Sequence, residues 1–126
     1  MSDEPQEPPF KKETGFRHFM AAARYSRQGF LRLLGESAFR QEITAFVAGL
    51  IILAVFAGRW ERPLIFTVLM LILFAVEALN TAVEELVDRV SPEYSKAGKH
   101  AKDLGSFAVA CMIAANTLFF LYALIF

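Results

Sequence analysis

The feature that most limits how this chain can fold is a run of 23 residues, Leu104 to Phe126, that contains no charged side chain. A helix needs about 20 mostly apolar residues to cross a bilayer, so this run predicts a transmembrane helix. The chain has 126 residues, 56% of them hydrophobic, and a mean hydropathy of +0.41. This composition is too apolar for a soluble domain unless membrane spans account for it, and the length allows one domain.

Two further apolar runs come earlier in the chain. Ile43 to Ala57 is short for a span, and including the residues from Ala38 onward gives it sufficient length. A polar turn with Trp60 as an interfacial anchor separates it from a second run that begins near Leu64. We therefore predict an all-α membrane protein with transmembrane helices at about residues 38–57, 63–87 and 104–126.

The segment before these spans divides into two parts. Residues 1–14 are rich in proline and charge, which predicts a disordered tail; they contain no apolar core of a signal peptide. Residues 16–35 have basic and polar side chains on one side of a helix and apolar side chains opposite, as is typical of a helix lying on a membrane surface. The alternative is a solvated helix packed on a protein core. The polar side consists of Arg17, Arg24, Gln28 and Arg32.

The basic residues predict an orientation. Seven lysines and arginines precede the first span, two lie in the turn after it, and four lie in the region after the second span. Because basic loops stay in the cytoplasm, the N-terminus and the polar loop from Ser91 to Asp103 should be cytoplasmic, and the C-terminus outside. The net charge of zero provides no basic field for nucleic acid. Cys111 has no partner for a disulfide and is expected to be a small packing residue.

A polar stripe interrupts the second span. Its members follow one another at helical spacing and therefore lie on one face of the helix. The 14 residues from Pro63 to Val76 cover about 20 Å of helix, against a hydrocarbon core of about 30 Å, so the first carboxylate should lie inside the cytoplasmic half of the membrane. Ionisable groups at that depth are costly and usually functional. The stripe consists of Glu77, Asn80, Thr81, Glu84 and Asp88.

This arrangement suits phosphoryl transfer from a soluble nucleotide to the hydroxyl of a membrane lipid. A carboxylate within the lipid layer can accept a proton from a group that resides there. A second carboxylate nearer water can hold Mg²⁺, which prefers oxygen ligands and bridges phosphates. The basic loop ends in Lys102 and Asp103, which face the same side and can contact nucleotide phosphates.

Other interpretations of the same residues remain open. Asn80 and Thr81 can form hydrogen bonds between helices, and the loop lysines can serve orientation alone. The stripe can also line an ion pathway or an assembly interface. The sequence has no Walker motif and no protein-kinase signature, so a kinase here must use another architecture.

The sequence resembles the small integral-membrane prokaryotic diacylglycerol kinases over nearly all of the chain after the tail. The core pattern of the resemblance is Glu-x-x-Asn-[Ser/Thr]-Ala-x-Glu followed by Ala-Lys-Asp. The matching segments are Thr14–Phe16, Tyr25–Ser26, Glu36–Glu42, Glu77–Glu84, Val87–Arg89, Glu93–Tyr94 and Ala101–Ser106.

The resemblance implies a homotrimer in the bacterial inner membrane, each subunit having three transmembrane helices and an N-terminal surface helix. It implies transfer of the γ-phosphate of MgATP to diacylglycerol, which gives phosphatidate. A sister group phosphorylates undecaprenol, and the run from Asp88 to Ser106 looks more like the diacylglycerol-specific group. A rival from another class is a non-enzymatic oligomer that conducts ions along the stripe.

Roles for single residues also follow from the resemblance. Glu77 would be the base that deprotonates the lipid hydroxyl, and Asn80 would position the reacting groups. Glu36 and Glu84 would coordinate the metal ions that bridge the ATP phosphates. The remaining implied contacts are Tyr25, Lys102 and Asp103 with the nucleotide and Ser106 with the lipid substrate.

Overall fold

The computed structural model describes residues 14–126, and the secondary structure in this range is helical, with short turns between the helices. The predicted all-α class is confirmed, and three of the helices are long and apolar enough to cross a membrane. Of the predicted disordered tail, residues 1–13 lie outside the described part of the chain. The four helices in order are α1 (Gly15–Leu33), α2 (Ser37–Phe56), α3 (Glu61–Val90) and α4 (Lys96–Ile125).

The chain divides into two compact units. The first ends at Arg32 and contains most of α1, close to the helix predicted over residues 16–35. Within it, the Arg24 guanidinium lies over the Tyr25 ring, 5.4 Å from the ring centroid. The second unit runs from Leu33 to Phe126 and contains α2, α3 and α4. The placement of α1 on a membrane surface stays a prediction.

The turn between α2 and α3 matches the one predicted from sequence. Helix α2 ends with Ala57, whose backbone N–H donates to the Leu53 carbonyl oxygen over 3.0 Å. Gly58 follows with φ of +68°, the left-handed conformation that commonly ends a helix and that favours glycine. Helix α3 begins at Glu61, so Pro63 lies in its first turn, where a missing N–H has no cost.

The polar loop predicted from Ser91 to Asp103 is wrong for most of its length, because α4 begins at Lys96. The Ser95 side chain accepts a hydrogen bond from the Gly98 backbone N–H over 3.0 Å, which caps the helix. Lys99 and Asp103 then pair across one turn, which supports a helix of polar residues. Helix α4 therefore extends its apolar run by two turns of polar residues.

The three-helix unit is packed mainly through aromatic rings and small residues. The Phe39 and Phe74 rings meet edge to face at 5.3 Å, and Phe66 lies 5.8 Å from Phe120. Gly49 lets α2 approach this cluster, since a Cβ there would lie 2.8 Å from the Phe66 ring. The buried hydrophobic core consists of Leu53, Ala57, Phe66, Met70, Leu73 and Ala123.

One polar side chain joins α3 and α4 within the apolar part of the unit. Asn116 is buried, and its Nδ2 donates to the Leu69 carbonyl oxygen over 3.2 Å and to that of Met112 over 2.9 Å. Polar groups have few alternative partners in an apolar layer, so these bonds fix the register of the two helices.

The outer faces of the three helices carry large apolar side chains. Ile51 on α2, Leu71 on α3 and Leu118 on α4 are between 58% and 70% exposed. Cys111 is also exposed in this chain, and its expected role as a small packing residue stays a prediction. Apolar faces of this extent need lipid or other protein against them.

Arg62 ties together the ends of the three helices opposite the polar stripe. Its Nη1 donates to the Ala57 carbonyl oxygen at the end of α2 over 3.1 Å and to the Ala123 carbonyl oxygen near the end of α4 over 2.8 Å. The guanidinium belongs to the first turn of α3, so one side chain joins all three helices. Its positive charge also suits the negative ends of two helix dipoles.

We expect Arg62→Ala to lower the free energy of unfolding by about 2–3 kcal/mol, because hydrogen bonds from a charged donor contribute about 1.5–3 kcal/mol. Thermal unfolding in detergent micelles measures the change. Arg59→Ala is the matched control, since Arg59 is exposed and makes only a 3.4 Å pair with Glu61. Equal stability of the two variants would show that the Arg62 bonds are not structural.

Candidate functional site

The polar stripe of α3 passes from the interior of the unit to its surface. Glu77, Asn80 and Thr81 are buried, Glu84 is half-buried and Asp88 is exposed. Helix α3 has 30 residues and is therefore about 45 Å long, which exceeds the thickness of the hydrocarbon core by several turns. A span anchored at the Trp60 turn would place the stripe across the boundary between lipid and water.

A second buried carboxyl group lies against Glu77. Glu42 of α2 is 8% exposed and Glu77 is 6% exposed, and their carboxyl groups lie close to each other. Sequence reasoning gave Glu42 no role beyond the end of the first span. The available signal was that Glu42 is a charged residue inside Glu36–Glu42, a segment that carries the family resemblance. Its proximity to Glu77 depends on how α2 packs on α3.

The start of α2 brings Glu36 toward the same region. Glu36 occupies the N-cap position of α2 with extended backbone angles, φ −86° and ψ 128°. Its backbone N–H donates to the Leu33 carbonyl oxygen over 2.9 Å, which fixes the bend before the helix. The charges of both Glu36 and Glu84 act on the Glu77 carboxyl group. Glu36 is far from the stripe in sequence but lies near it in the structure.

Asn80 links the inner and outer carboxylates of the stripe. Its Nδ2 donates to Glu84 Oε1 over 3.3 Å, one helical turn toward the surface. Its Oδ1 is buried, and within residues 14–126 it has no hydrogen-bond partner. The side chain therefore orients Glu84 with one end and presents a free acceptor with the other.

Lysine and aspartate pairs surround the outer end of the stripe. Lys102 Nζ lies 2.6 Å from Asp88 Oδ1, and Lys99 Nζ lies 2.5 Å from Asp103 Oδ2. The charge of Glu84 also acts on Lys102. These pairs are largely exposed, and exposed ion pairs contribute only about 0–1 kcal/mol, so an incoming phosphate can replace the aspartates. A cavity of about 160 Å³ lies beside them, bounded by Asp88, Tyr94, Lys99 and Lys102 among others.

The two other predicted contacts lie in different parts of the chain. Ser106 is exposed on α4, next to Gly105. Tyr25 belongs to the first unit, where it contacts Arg24. Their predicted roles toward lipid and nucleotide stay predictions.

An apolar groove of about 550 Å³ leads away from the paired carboxyl groups between α2, α3 and α4. Gln41 and Glu42 line it near the start of α2, and Phe66, Asn116 and Phe120 line it farther into the apolar layer. The groove thus joins a buried acidic group to a space suited to hydrocarbon chains.

The donor set fits a divalent cation only in part. Within the described residues, no group of three or more histidine, cysteine, aspartate and glutamate side chains is arranged around a metal position. Glu84 is half-buried and oriented by Asn80, and Glu36, at the start of α2, lies near Glu77 as Glu84 does. Mg²⁺ commonly takes one or two carboxylates and completes its shell with water and substrate phosphates, so these residues fit an ion that arrives with a nucleotide.

Known proteins of one family are similar to this chain in sequence. The family model described as prokaryotic diacylglycerol kinase matches residues 24–125. A diacylglycerol kinase of Sinorhizobium sp. is 50% identical over 118 residues, which is 94% of this chain and 86% of the relative. That of Pseudomonas aeruginosa is 43% identical over 102 residues, covering 79% of this chain and 82% of the relative. That of Escherichia coli is 39% identical over 107 residues, covering 79% and 83%.

The family match covers most of the chain, including α2, α3, α4 and every carboxylate of the site. The relatives match over most of their own length as well, so the likeness in sequence is not confined to one segment. The chain belongs to the prokaryotic diacylglycerol kinase family.

Proposed function

We propose that this protein transfers the γ-phosphate of MgATP to the primary hydroxyl of diacylglycerol, giving phosphatidate and ADP. The observation that carries the proposal is the buried carboxyl pair of Glu42 and Glu77, which lies between an apolar groove and a polar, lysine-bearing surface. A lipid hydroxyl reaches such a group from the groove side, and a nucleotide reaches it from the water side.

Glu77 acts as the general base in this proposal. As the hydroxyl oxygen forms its bond to the γ-phosphorus, the bond from phosphorus to the departing ADP oxygen breaks, and the hydroxyl proton passes to the Glu77 carboxylate. Burial of Glu77 keeps competing water away, which favours transfer to lipid over hydrolysis of ATP.

The nucleotide phosphates are held at the outer end of the stripe. Glu36 and Glu84 would hold Mg²⁺, which neutralises the charge that develops on the phosphate oxygens. Asn80 orients Glu84 through its 3.3 Å hydrogen bond. Lys102 exchanges its Asp88 partner for phosphate, while Asp103 contacts the nucleoside part of ATP.

The lipid substrate enters from the membrane. Its acyl chains lie in the groove bounded by α2, α3 and α4, and Ser106 contacts its polar head. This placement needs the three long helices as membrane spans of the bacterial inner membrane, with the N-terminus and the site cytoplasmic and the C-terminus outside. The distribution of lysine and arginine supports that orientation.

We further propose that the active form is a homotrimer with α1 on the membrane surface. Support comes from the exposed apolar faces of α2, α3 and α4, which exceed what one chain can cover. Within the described residues, fewer than three ligand side chains converge on the proposed metal position. This is also consistent with ligands supplied by a neighbouring subunit.

The test measures phosphate transfer from labelled ATP in mixed micelles that contain either diacylglycerol or undecaprenol. We expect labelled phosphatidate with the first lipid and a far slower reaction with the second. Labelled undecaprenyl phosphate as the main product would assign the chain to the sister activity. No lipid product, together with ion flux across liposomes in the absence of ATP, would replace the kinase proposal with the conducting oligomer.

Glu42 gives a sharper prediction about the carboxyl pair. We expect Glu42→Leu to lower kcat by about tenfold or more, because buried Glu77 loses its polar neighbour, and Glu42→Gln to retain more activity, because its amide can donate a hydrogen bond to Glu77. Initial rates at saturating ATP and diacylglycerol measure both. Equal rates for the leucine and glutamine variants would mean that the hydrogen bond to Glu77 has no part in catalysis.

A further inference from the structure

Helices α3 and α4 approach each other closely where Gly105 faces the polar stripe. A Cβ atom built at Gly105 would overlap Asn80 Oδ1 and would lie 3.1 Å from Asn80 Cγ and 3.7 Å from Asn80 Cβ. The first two positions are inside van der Waals contact, so an alanine at this position requires the Asn80 side chain to move.

Asn80 has little room to move without losing its function in the site. The side chain is 9% exposed, and its Nδ2 donates to Glu84 Oε1 over 3.3 Å. A rotation of the amide away from α4 lengthens or breaks this bond, since donor and acceptor are one turn apart on the same helix. The buried Oδ1 would also be moved from its present position toward other atoms of the stripe.

Gly49 provides a contrast on the other side of the unit. A Cβ there would lie 2.8 Å from Phe66 Cζ, at the edge of an aromatic ring in the apolar core. A side chain at Gly49 would therefore affect only the packing of apolar groups. The Gly105 contact instead meets a polar side chain that bonds to a proposed metal ligand.

We propose that Gly105 is a positioning residue of the site, because its missing side chain provides the space in which Asn80 is held against Glu84. Gly105 touches no reacting atom and acts through Asn80. The inference rests on the proposed kinase function for its catalytic consequence, whereas the contact between Gly105 and Asn80 stands independently of it.

The experiment compares four proteins: wild type, Gly105→Ala, Asn80→Ala and the double variant. We expect Gly105→Ala to lower kcat by up to about a hundredfold with KM for diacylglycerol within about twofold, since a misplacement of about 1 Å has effects of this size. In the Asn80→Ala background the same change should lower kcat no further, because the atom that the new Cβ meets is absent. Gly29→Ala is the matched control, since a Cβ at Gly29 meets nothing within 4 Å.

Thermal unfolding of the same four proteins separates this inference from the proposed function. We expect Gly105→Ala to lower Tm in the wild-type background and not in the Asn80→Ala background. If wild type transfers no phosphate to lipid, the kinase proposal fails and the unfolding data still decide the contact. Wild-type activity in Gly105→Ala, or the same loss in both backgrounds, would overturn the inference. If Gly105→Ala does not fold, recovery of folding in the double variant supports it and failure of both contradicts it.

Discussion

Glu77→Gln is expected to lower kcat for phosphate transfer to diacylglycerol by about a hundredfold to ten-thousandfold, the usual contribution of a positioned general base. Glutamine preserves the size of the side chain and can donate a hydrogen bond to Glu42, so the buried pair keeps its packing. The variant loses only the capacity to accept the hydroxyl proton. Single-turnover and steady-state rates in mixed micelles measure the change.

Glu85→Gln is the control for this experiment. Glu85 is the exposed neighbour of Glu84 on α3, and its neutralisation changes the net charge by the same amount. We expect activity within about twofold of wild type, as for surface substitutions in general. Full activity in Glu77→Gln would remove the base from the mechanism, and a comparable loss in Glu85→Gln would point to net charge instead.

Glu84→Gln should act on the nucleotide side of the reaction. We expect kcat/KM for MgATP to fall by about a hundredfold or more, since metal stabilisation of the developing phosphate charge is worth several kcal/mol. The concentration of Mg²⁺ for half-maximal rate should rise, whereas KM for diacylglycerol should stay within about twofold. A titration with Mg²⁺ at fixed ATP separates these effects.

Binding of Mn²⁺ with ATP to the same variant, followed by electron paramagnetic resonance, provides a measurement that does not depend on turnover. Weaker binding in Glu84→Gln and unchanged binding in Glu77→Gln would separate the proposed metal ligand from the proposed base. Unchanged Mn²⁺ binding in Glu84→Gln would transfer the metal role to other residues.

The helices could be predicted from the sequence because apolar runs of membrane length have few other solutions. The polar stripe could also be predicted from the sequence, since Glu77, Asn80 and Thr81 recur at helical spacing. All three are buried in the structure. The end of α4 was predicted well and its start was not. The prediction followed apolar content, whereas Lys96 to Asp103 is held in a helix by the Ser95 cap and the pair of Lys99 with Asp103.

Contacts between helices lay beyond sequence reasoning. The close approach of Glu42 and Glu77 involves residues 35 positions apart, and it depends on the rotation of α2 about its axis. The fit of Asn80 against Gly105 depends in the same way on the distance between α3 and α4. Spacing along one chain reports which residues share a face, but it does not report which faces meet.

The two hydrogen bonds of Arg62 also bear on the order in which the protein is made. During synthesis the hairpin of α2 and α3 leaves the ribosome before α4. At that stage, of its two acceptors, Arg62 can donate only to the Ala57 carbonyl oxygen. Its second acceptor, the Ala123 carbonyl oxygen, becomes accessible after α4 has been synthesised and inserted. Until α4 is present, the Arg62 guanidinium therefore lacks its second acceptor. Addition of α4 supplies that acceptor and stabilises the contact between the ends of α2 and α3.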